Sequence, residues 1–189
     1  IIRSFIMALT KTPICDFGKK AYNFELKSID NKIVSLNDVK GENGTLIMFI
    51  CNHCPYVLAV IKNVVEDCKE LENDGIKSIA IMSNDPKRYE QDSFDNMVKF
   101  SKNYDFNFPY VIDETQEVAK AYSAVCTPDF FGYNKDLELQ YRGRIRELKN
   151  LKPIETGDSE LKKAMKMIAQ SNNGPKEQFP SMGCSIKWF

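Results

Sequence analysis

The sequence predicts an α/β sandwich built on a mixed sheet with helices on both faces. Three observations carry that expectation. Residues 45–50 are an unbroken apolar run, the mark of a strand buried on both faces at the centre of a parallel sheet. Val57, Leu58, Ile61, Val64, Val65, Cys68 and Leu71 then recur at spacings of three and four, so 55–72 reads as an amphipathic helix. Pro55 falls in its first turn, where a missing N–H costs nothing. A second apolar run over 76–83 resumes the strand pattern, and strands joined through a helix in this way cross over right-handedly.

The other elements follow in chain order. Residues 24–28 and 33–36 flank Asp30-Asn31-Lys32 as a hairpin. Asn84-Asp85-Pro86 ends the second buried strand and caps a helix over 89–104, marked by Phe94, Met97, Val98 and Tyr104. Residues 108–112 form a short strand, and 115–124 a short helix with Val118, Ala121 and Tyr122 on one side. Two antiparallel strands, 129–133 and 137–144, meet at Asn134-Lys135-Asp136. A helix over 158–170 presents Leu161, Met165 and Ile168. Residues 172–180 are a polar loop rich in Gly and Pro, and the apolar Ile186, Trp188 and Phe189 make the following tail one that docks. The organisation is one domain over 7–171 with a tail, 172–189, docked on it. Residues 1–6 read as an upstream remnant, with Met7 as the initiator.

Composition narrows the function. The 189 residues carry 26 Lys+Arg against 26 Asp+Glu. That zero balance argues against a nucleic-acid partner, whose binding draws on excess positive charge. No apolar run approaches the roughly 18–20 residues of a membrane span. Arg3 breaks the apolar N-terminus, so no signal peptide is expected. Six cysteines with one close pair are too sparse for a disulfide-stapled scaffold. The expectation is a cytoplasmic protein with its thiols held reduced.

The close pair carries the chemistry. Cys51-x-x-Cys54 falls where a buried strand gives way to a helix. Unpaired N–H groups and the helix dipole there favour a thiolate over the ordinary thiol, whose pKa is about 8.5. Cys51, nearer the exposed tip, would attack a substrate disulfide, and Cys54, one turn in, would resolve the mixed disulfide. His53 is the sole histidine. As an imidazolium between the two thiols it would lower the thiol pKa further and make the couple more oxidising than a Cys-Gly-Pro-Cys site. With one histidine and no second C-x-x-C, a zinc site lacks ligands, and redox chemistry leads.

The Cys51-Asn52-His53-Cys54-Pro55 turn and the later Thr127-Pro128 ahead of a hairpin resemble the thioredoxin fold. The inserted stretch 76–104 resembles its redoxin branch, which includes the AhpC/TSA proteins and the peroxiredoxins. FICNHCPYV (49–57), DETQEVAK (113–120), VCTPDFFG (125–132), PSMGCSIKW (180–188) and Cys15-Asp16-Phe17-Gly18 resemble a bacterial group of thioredoxin-family proteins, from residue 7 to the end. The resemblance implies a three-layer thioredoxin-like sandwich with an N-terminal hairpin. It implies catalytic Cys51 and Cys54, and a cis-proline at Pro128 packed against them. Asn52, His53, Pro55 and Thr127 would tune the thiols and line the substrate groove. Two departures stand out: Ala21-Tyr22 replaces the usual Ala-Pro, and the peroxiredoxin pattern Pro-x-x-x-Thr-x-x-Cys, aligned on Cys54, meets Ile47 and Cys51.

Cys126, two residues before Pro128, and Cys184, in the tail, are candidates for accessory redox roles. Cys68 lies on the helix's apolar stripe and belongs to the core, and Cys15 is left open. Arg142, Arg144 and Arg146 alternate at strand spacing and read as a solvated row. The leading expectation is a thiol-disulfide oxidoreductase with no organic cofactor and no resident metal. It would act on a disulfide-bearing protein or a small thiol or peroxide, with a thiol electron donor and neither nucleic acid nor membrane as partner. The alternatives are a peroxiredoxin-like antioxidant peroxidase with Cys54 or Cys51 oxidised, and a Cu or Zn module on Cys51, His53, Cys54 and Cys126.

Overall fold

In a computed structural model that describes residues 8–189, short strands near the N-terminus lead into the buried ones. They are β1 (Leu9–Lys11), β2 (Glu25–Ser28), β3 (Ile33–Ser35) and β4 (Gly44–Phe49), followed by helices α1 (Pro55–Leu58) and α2 (Ile61–Leu71). Next come β5 (Ile76–Met82), α3 (Phe94–Asn103), β6 (Tyr110–Ile112), α4 (Glu117–Ala121), β7 (Cys126–Thr127), β8 (Asp129–Asn134) and β9 (Leu139–Tyr141). The small hairpin β10 (Leu148–Lys149) and β11 (Lys152–Pro153), helix α5 (Glu160–Ser171) and strand β12 (Met182–Ser185) complete the chain. The expectation for residues 1–6 falls outside the described residues. No helix among the described residues is long and apolar enough to cross a membrane.

Seven strands form one mixed sheet in the order β3-β2-β6-β5-β4-β8-β9, with β4, β5 and β6 parallel and the outer strands antiparallel. Every residue of β4 is buried. Alternation sends Leu46 and Met48 to one face and Ile47 and Phe49 to the other. The first face is covered by α2, α3 and α5 through Ile61, Val64, Leu71, Met97, Leu161, Met165 and Ile168. The second is covered by Ala119 of α4, by Tyr122, and by Phe24, Leu36 and Val39 from the N-terminal region. The result is the three-layer thioredoxin-like arrangement. A second sheet, β1-β12-β7, is antiparallel throughout and brings the tail against the strand that precedes Pro128.

Four expectations need correction. The helix expected over 55–72 is two helices. Val60 leaves the helical region (φ −124, ψ −7) and sends its N–H to Val57 O, so a single tight turn separates α1 from α2. No Gly or Pro marks the break, and the apolar stripe runs through it unchanged. The helix expected from 89 begins at Phe94, because Ser93 Oγ accepts the Asn96 N–H and fixes the N-cap there. The helix expected over 115–124 spans only Glu117–Ala121, after Gln116 in the left-handed region.

The arginines do not form a solvated row. β9 ends at Tyr141, so Arg142, Arg144 and Arg146 lie past the strand and each turns to its own partner. Arg146 reaches Asn63 Oδ1, and Arg144 pairs with Glu160 at 2.9 Å. Arg142 is buried and grips Asp129, itself fully buried, by Nη2–Oδ2 at 3.0 Å and Nε–Oδ1 at 3.3 Å. Its guanidinium also donates to Ser123 O and lies over the Phe131 ring at 4.4 Å. This pair anchors the residue that directly follows Pro128.

Removing one member of such a pair leaves the other charged group buried without its counter-ion, at a cost of about 3–5 kcal/mol. Asp129→Ala should therefore lower the urea-unfolding free energy by about that amount, and a loss below about 1 kcal/mol would contradict the pair's role.

Candidate active site

The strand β4 delivers the chain to the turn 51–54. Cys54 is the N-cap of α1 (φ −66, ψ 123), and its carbonyl accepts the N–H groups of Val57 and Leu58 at 3.0 and 2.9 Å. Pro55 occupies the first helical turn, where it removes no needed donor. The peptide bond Thr127–Pro128 is cis. Thr127 places its hydroxyl 3.5 Å from Cys51 Sγ and its carbonyl oxygen 3.3 Å from Cys54 Sγ. The two thiols and the Thr127-Pro128 peptide thus come together as the sequence implied.

Two details differ from expectation. Cys51 does not stand at an exposed tip: it is 1 % exposed and Cys54 is 0 %. The loop around Asp92 closes one side of the turn, and the tail strand closes the other. The helix that Cys54 caps is a single turn, so its dipole is small.

Sulfur takes the dipole's place. Cys54 Sγ lies 2.9 Å from Cys184 Sγ, which β12 carries in from the tail. Hydrogen bonds from Cys184 and then from Cys51 hold the Cys54 thiol well below its ordinary pKa, against the opposing effect of burial. Cys51 is pushed up, first by burial and then by that same hydrogen bond. Cys184 is pushed up by its bond to Cys54 and next by burial. The three thiols therefore titrate as one group, with Cys54 the member pushed down and Cys51 and Cys184 the members pushed up.

The remaining cysteines stand apart. Cys126 is fully buried with its thiol 3.6 Å from Pro128 O, and burial followed by the Asp129 charge pushes its pKa up. Burial raises Cys68 to about 12 in the core and half-buried Cys15 to about 11.

His53 does not act on the thiols as a lone cation. Its Nδ1 lies 2.8 Å from Asp92 Oδ2, a close ion pair rather than a linear hydrogen bond. The ring stacks on Tyr89 at 5.7 Å with 6° between the planes. Asp92 is fully buried and also accepts the Asn52 N–H at 2.8 Å and Asn84 Nδ2 at 2.9 Å. Its negative charge adds to the forces that raise Cys51. Asn52 is held as well through its side chain, which accepts from Tyr110 Oη at 2.8 Å and donates to Gln91 O at 2.9 Å. Asp92, Asn84 and Tyr110 are thus parts of the site that sequence reasoning missed. An aspartate in the polar stretch 90–92 carries no sequence mark of burial.

Ligand atoms of Cys51, His53 and Asp92 lie within 4.8 Å of one another, a grouping able to hold a metal ion. It differs from the expected set, because Asp92 enters and neither Cys54 nor Cys126 does. Ile47, at the peroxiredoxin proline position, packs in the core on the sheet face opposite the thiols. A cleft of about 530 Å³ opens beside Pro128 and Tyr56, with Lys11, Arg144 and Arg146 among its lining residues.

Residues 17–148 match the AhpC/TSA family. The chain is 30% identical over 158 residues to the thiol-disulfide oxidoreductase ResA of Bacillus thuringiensis subsp. konkukian, covering 82% of each protein. An uncharacterised conserved protein from Geobacillus kaustophilus superimposes with a TM-score of 0.92 at 40% identity over 97% of both chains. A thioredoxin-family thiol:disulfide interchange protein from Chlorobium tepidum shares the fold, with a TM-score of 0.59 at 16% identity over 81% of this chain and 94% of that one.

The ion pair makes a pH prediction. Asp92 holds His53 above its ordinary pKa of about 6.5, first through the close Nδ1–Oδ2 contact and then through its charge at large, against burial. A base raised on folding contributes stability that is complete below its unfolded pKa and lost as pH rises through the folded one. His53→Ala should be less stable than the wild type near pH 6, and the gap should narrow toward pH 9. A gap that stays flat or widens over that range would contradict the pairing.

Proposed function

The chain belongs to the AhpC/TSA family, and we propose that it works as a thiol-disulfide oxidoreductase that cycles Cys51 and Cys54 between dithiol and disulfide. The observation that carries this reading is the placement of both sulfurs at Thr127-Pro128, with Cys54 capping α1 and held toward its thiolate. The reduced couple shares a proton. Cys51 attacks one sulfur of a substrate disulfide, and the proton it gives up passes to the substrate sulfur that leaves. One S–S bond breaks, a mixed disulfide forms on Cys51, and one substrate thiolate leaves and is protonated. Cys54 then attacks Cys51 Sγ and releases the second substrate thiol. Two electrons pass from the couple to the substrate, and an external thiol donor restores the dithiol.

The remaining residues serve positions around this exchange. The Thr127 hydroxyl faces Cys51, and the His53–Asp92 pair fixes the turn from the other side through the Asn52 N–H. The cleft beside Pro128 and Tyr56 is the entrance for a substrate chain, lined by Lys11, Arg144, Arg146 and Glu147 among others.

Insulin disulfide reduction with a thiol donor tests the reading. Cys51→Ser and Cys54→Ser should each lower the rate about 100-fold or more, since neither can complete the cycle. Cys54→Ser should also accumulate mixed disulfides on Cys51, visible as adducts lost on reduction. Peroxide consumption by the wild type should stay near background. Retention of insulin activity in either variant, or fast peroxide turnover, would overturn the reading.

A further inference from the structure

The tail strand is built into the site with more care than a passive cover requires. β12 pairs with both β1 and β7, and its register sets Cys184 opposite Thr127 and Ser185 opposite Cys126. Gly183 lies so close to Thr127 that a Cβ there would overlap the Thr127 carbonyl, and only glycine admits this approach. The strand is tied down at both ends. Ser181 exchanges hydrogen bonds with Thr12 and donates its hydroxyl to Pro128 O at 2.7 Å. Beyond the strand, the Lys187 N–H donates to Asn84 Oδ1, and its carbonyl accepts from Asp85 N–H and from Gln116 Nε2. Phe189 N–H donates to Gln116 Oε1.

Fixed in this way, β12 occupies the edge of β7 as an added strand would, and it presents a thiol to the couple at that edge. The Sγ–Sγ distance of 2.9 Å to Cys54 is only about an ångström longer than a disulfide of about 2.03–2.05 Å. We propose that Cys184 is an internal exchange partner of Cys54, so that the oxidised protein carries a Cys54–Cys184 disulfide as well as a Cys51–Cys54 one. The proposal rests on the thiol-disulfide reading of the couple. In the step, Cys184 thiolate attacks Cys54 Sγ of the Cys51–Cys54 disulfide. One S–S bond breaks and one forms, Cys51 leaves as a thiolate, and the proton given up by Cys184 ends on Cys51. No electrons are gained or lost, so no outside reagent enters. The tail thus takes the place of a substrate sulfur, and the exchange returns Cys51 as a thiol while the oxidising equivalents are held on the tail.

The test maps disulfides in the full chain. Wild-type protein is equilibrated in glutathione buffers across its transition, alkylated in acid denaturant, and its cysteine-linked peptides are identified by mass spectrometry. A Cys54–Cys184 link should account for at least about a tenth of the oxidised monomer. Cys51→Ser treated with diamide, which takes two electrons and two protons from a thiol pair, should close the same link within the monomer. The exchange is overturned if the wild type shows only Cys51–Cys54, or if Cys51→Ser leaves Cys184 alkylated and links Cys54 between chains. Cys184→Ser separates the two claims: on mapping it should retain the Cys51–Cys54 link, and loss of that link in a folded variant counts against the parent reading instead. The wild-type mapping stands even if a variant fails to fold.

Discussion

The pairing of β12 with β7 is the constraint on which the rest of the site depends. It brings the tail segment 182–185 to segments 51–54 and 126–128, which the main sheet sets side by side by pairing Phe49 with Asp129. The Arg142–Asp129 pair holds the residue after Pro128, and Ser181 holds the Pro128 carbonyl from the tail side. With Thr127 fixed between them, its hydroxyl and carbonyl can face Cys51 and Cys54 in turn. Backbone hydrogen bonds and one buried charge pair set the geometry, and the chemistry occupies what they leave.

That geometry changes the source of thiolate stabilisation. A long helix behind Cys54 would offer an aligned dipole, but the break at Val60 leaves one turn. Burial alone raises every thiol in the protein, as it does Cys68 and Cys126. Cys54 escapes because hydrogen bonds with the two neighbouring thiols outweigh its burial, although the Thr127 carbonyl also lies 3.3 Å away. On the far side of the turn, the His53–Asp92 pair acts on both thiols, Asp92 raising Cys51 and His53 facing the charge of Cys54. The histidine also neutralises a buried carboxylate that orients Asn52.

Much of the fold was legible because it rests on local patterns. The apolar run at 45–50 could only be a buried strand, and the dithiol position followed from a strand giving way to a period of 3.6. Pro128 was legible through its Thr127-Pro128 context ahead of a short hairpin. What was hidden depends on contacts distant in sequence. Asp92 looks like any surface aspartate until Asn84, Asn52 and His53 converge on it. Arg142 alternates with Arg144 and Arg146 as a surface row would, yet the end of β9 at Tyr141 removes the strand that the spacing presumed. The break at Val60 leaves the apolar stripe intact, so no periodicity can report it. Cys184 was a candidate by its apolar neighbours alone; only the register of β12 against β7 shows which sulfur it meets.

The charge on Cys54 is the point at which the account is most directly exposed. The reduced protein, labelled with ¹³C at the cysteine β carbons, can be titrated by NMR and each thiol followed by its own shift. The account predicts that Cys54 is a thiolate at neutral pH, with Cys51 and Cys184 titrating above the ordinary value of about 8.5. A Cys54 that remains protonated at pH 7 while Cys51 ionises first would contradict it.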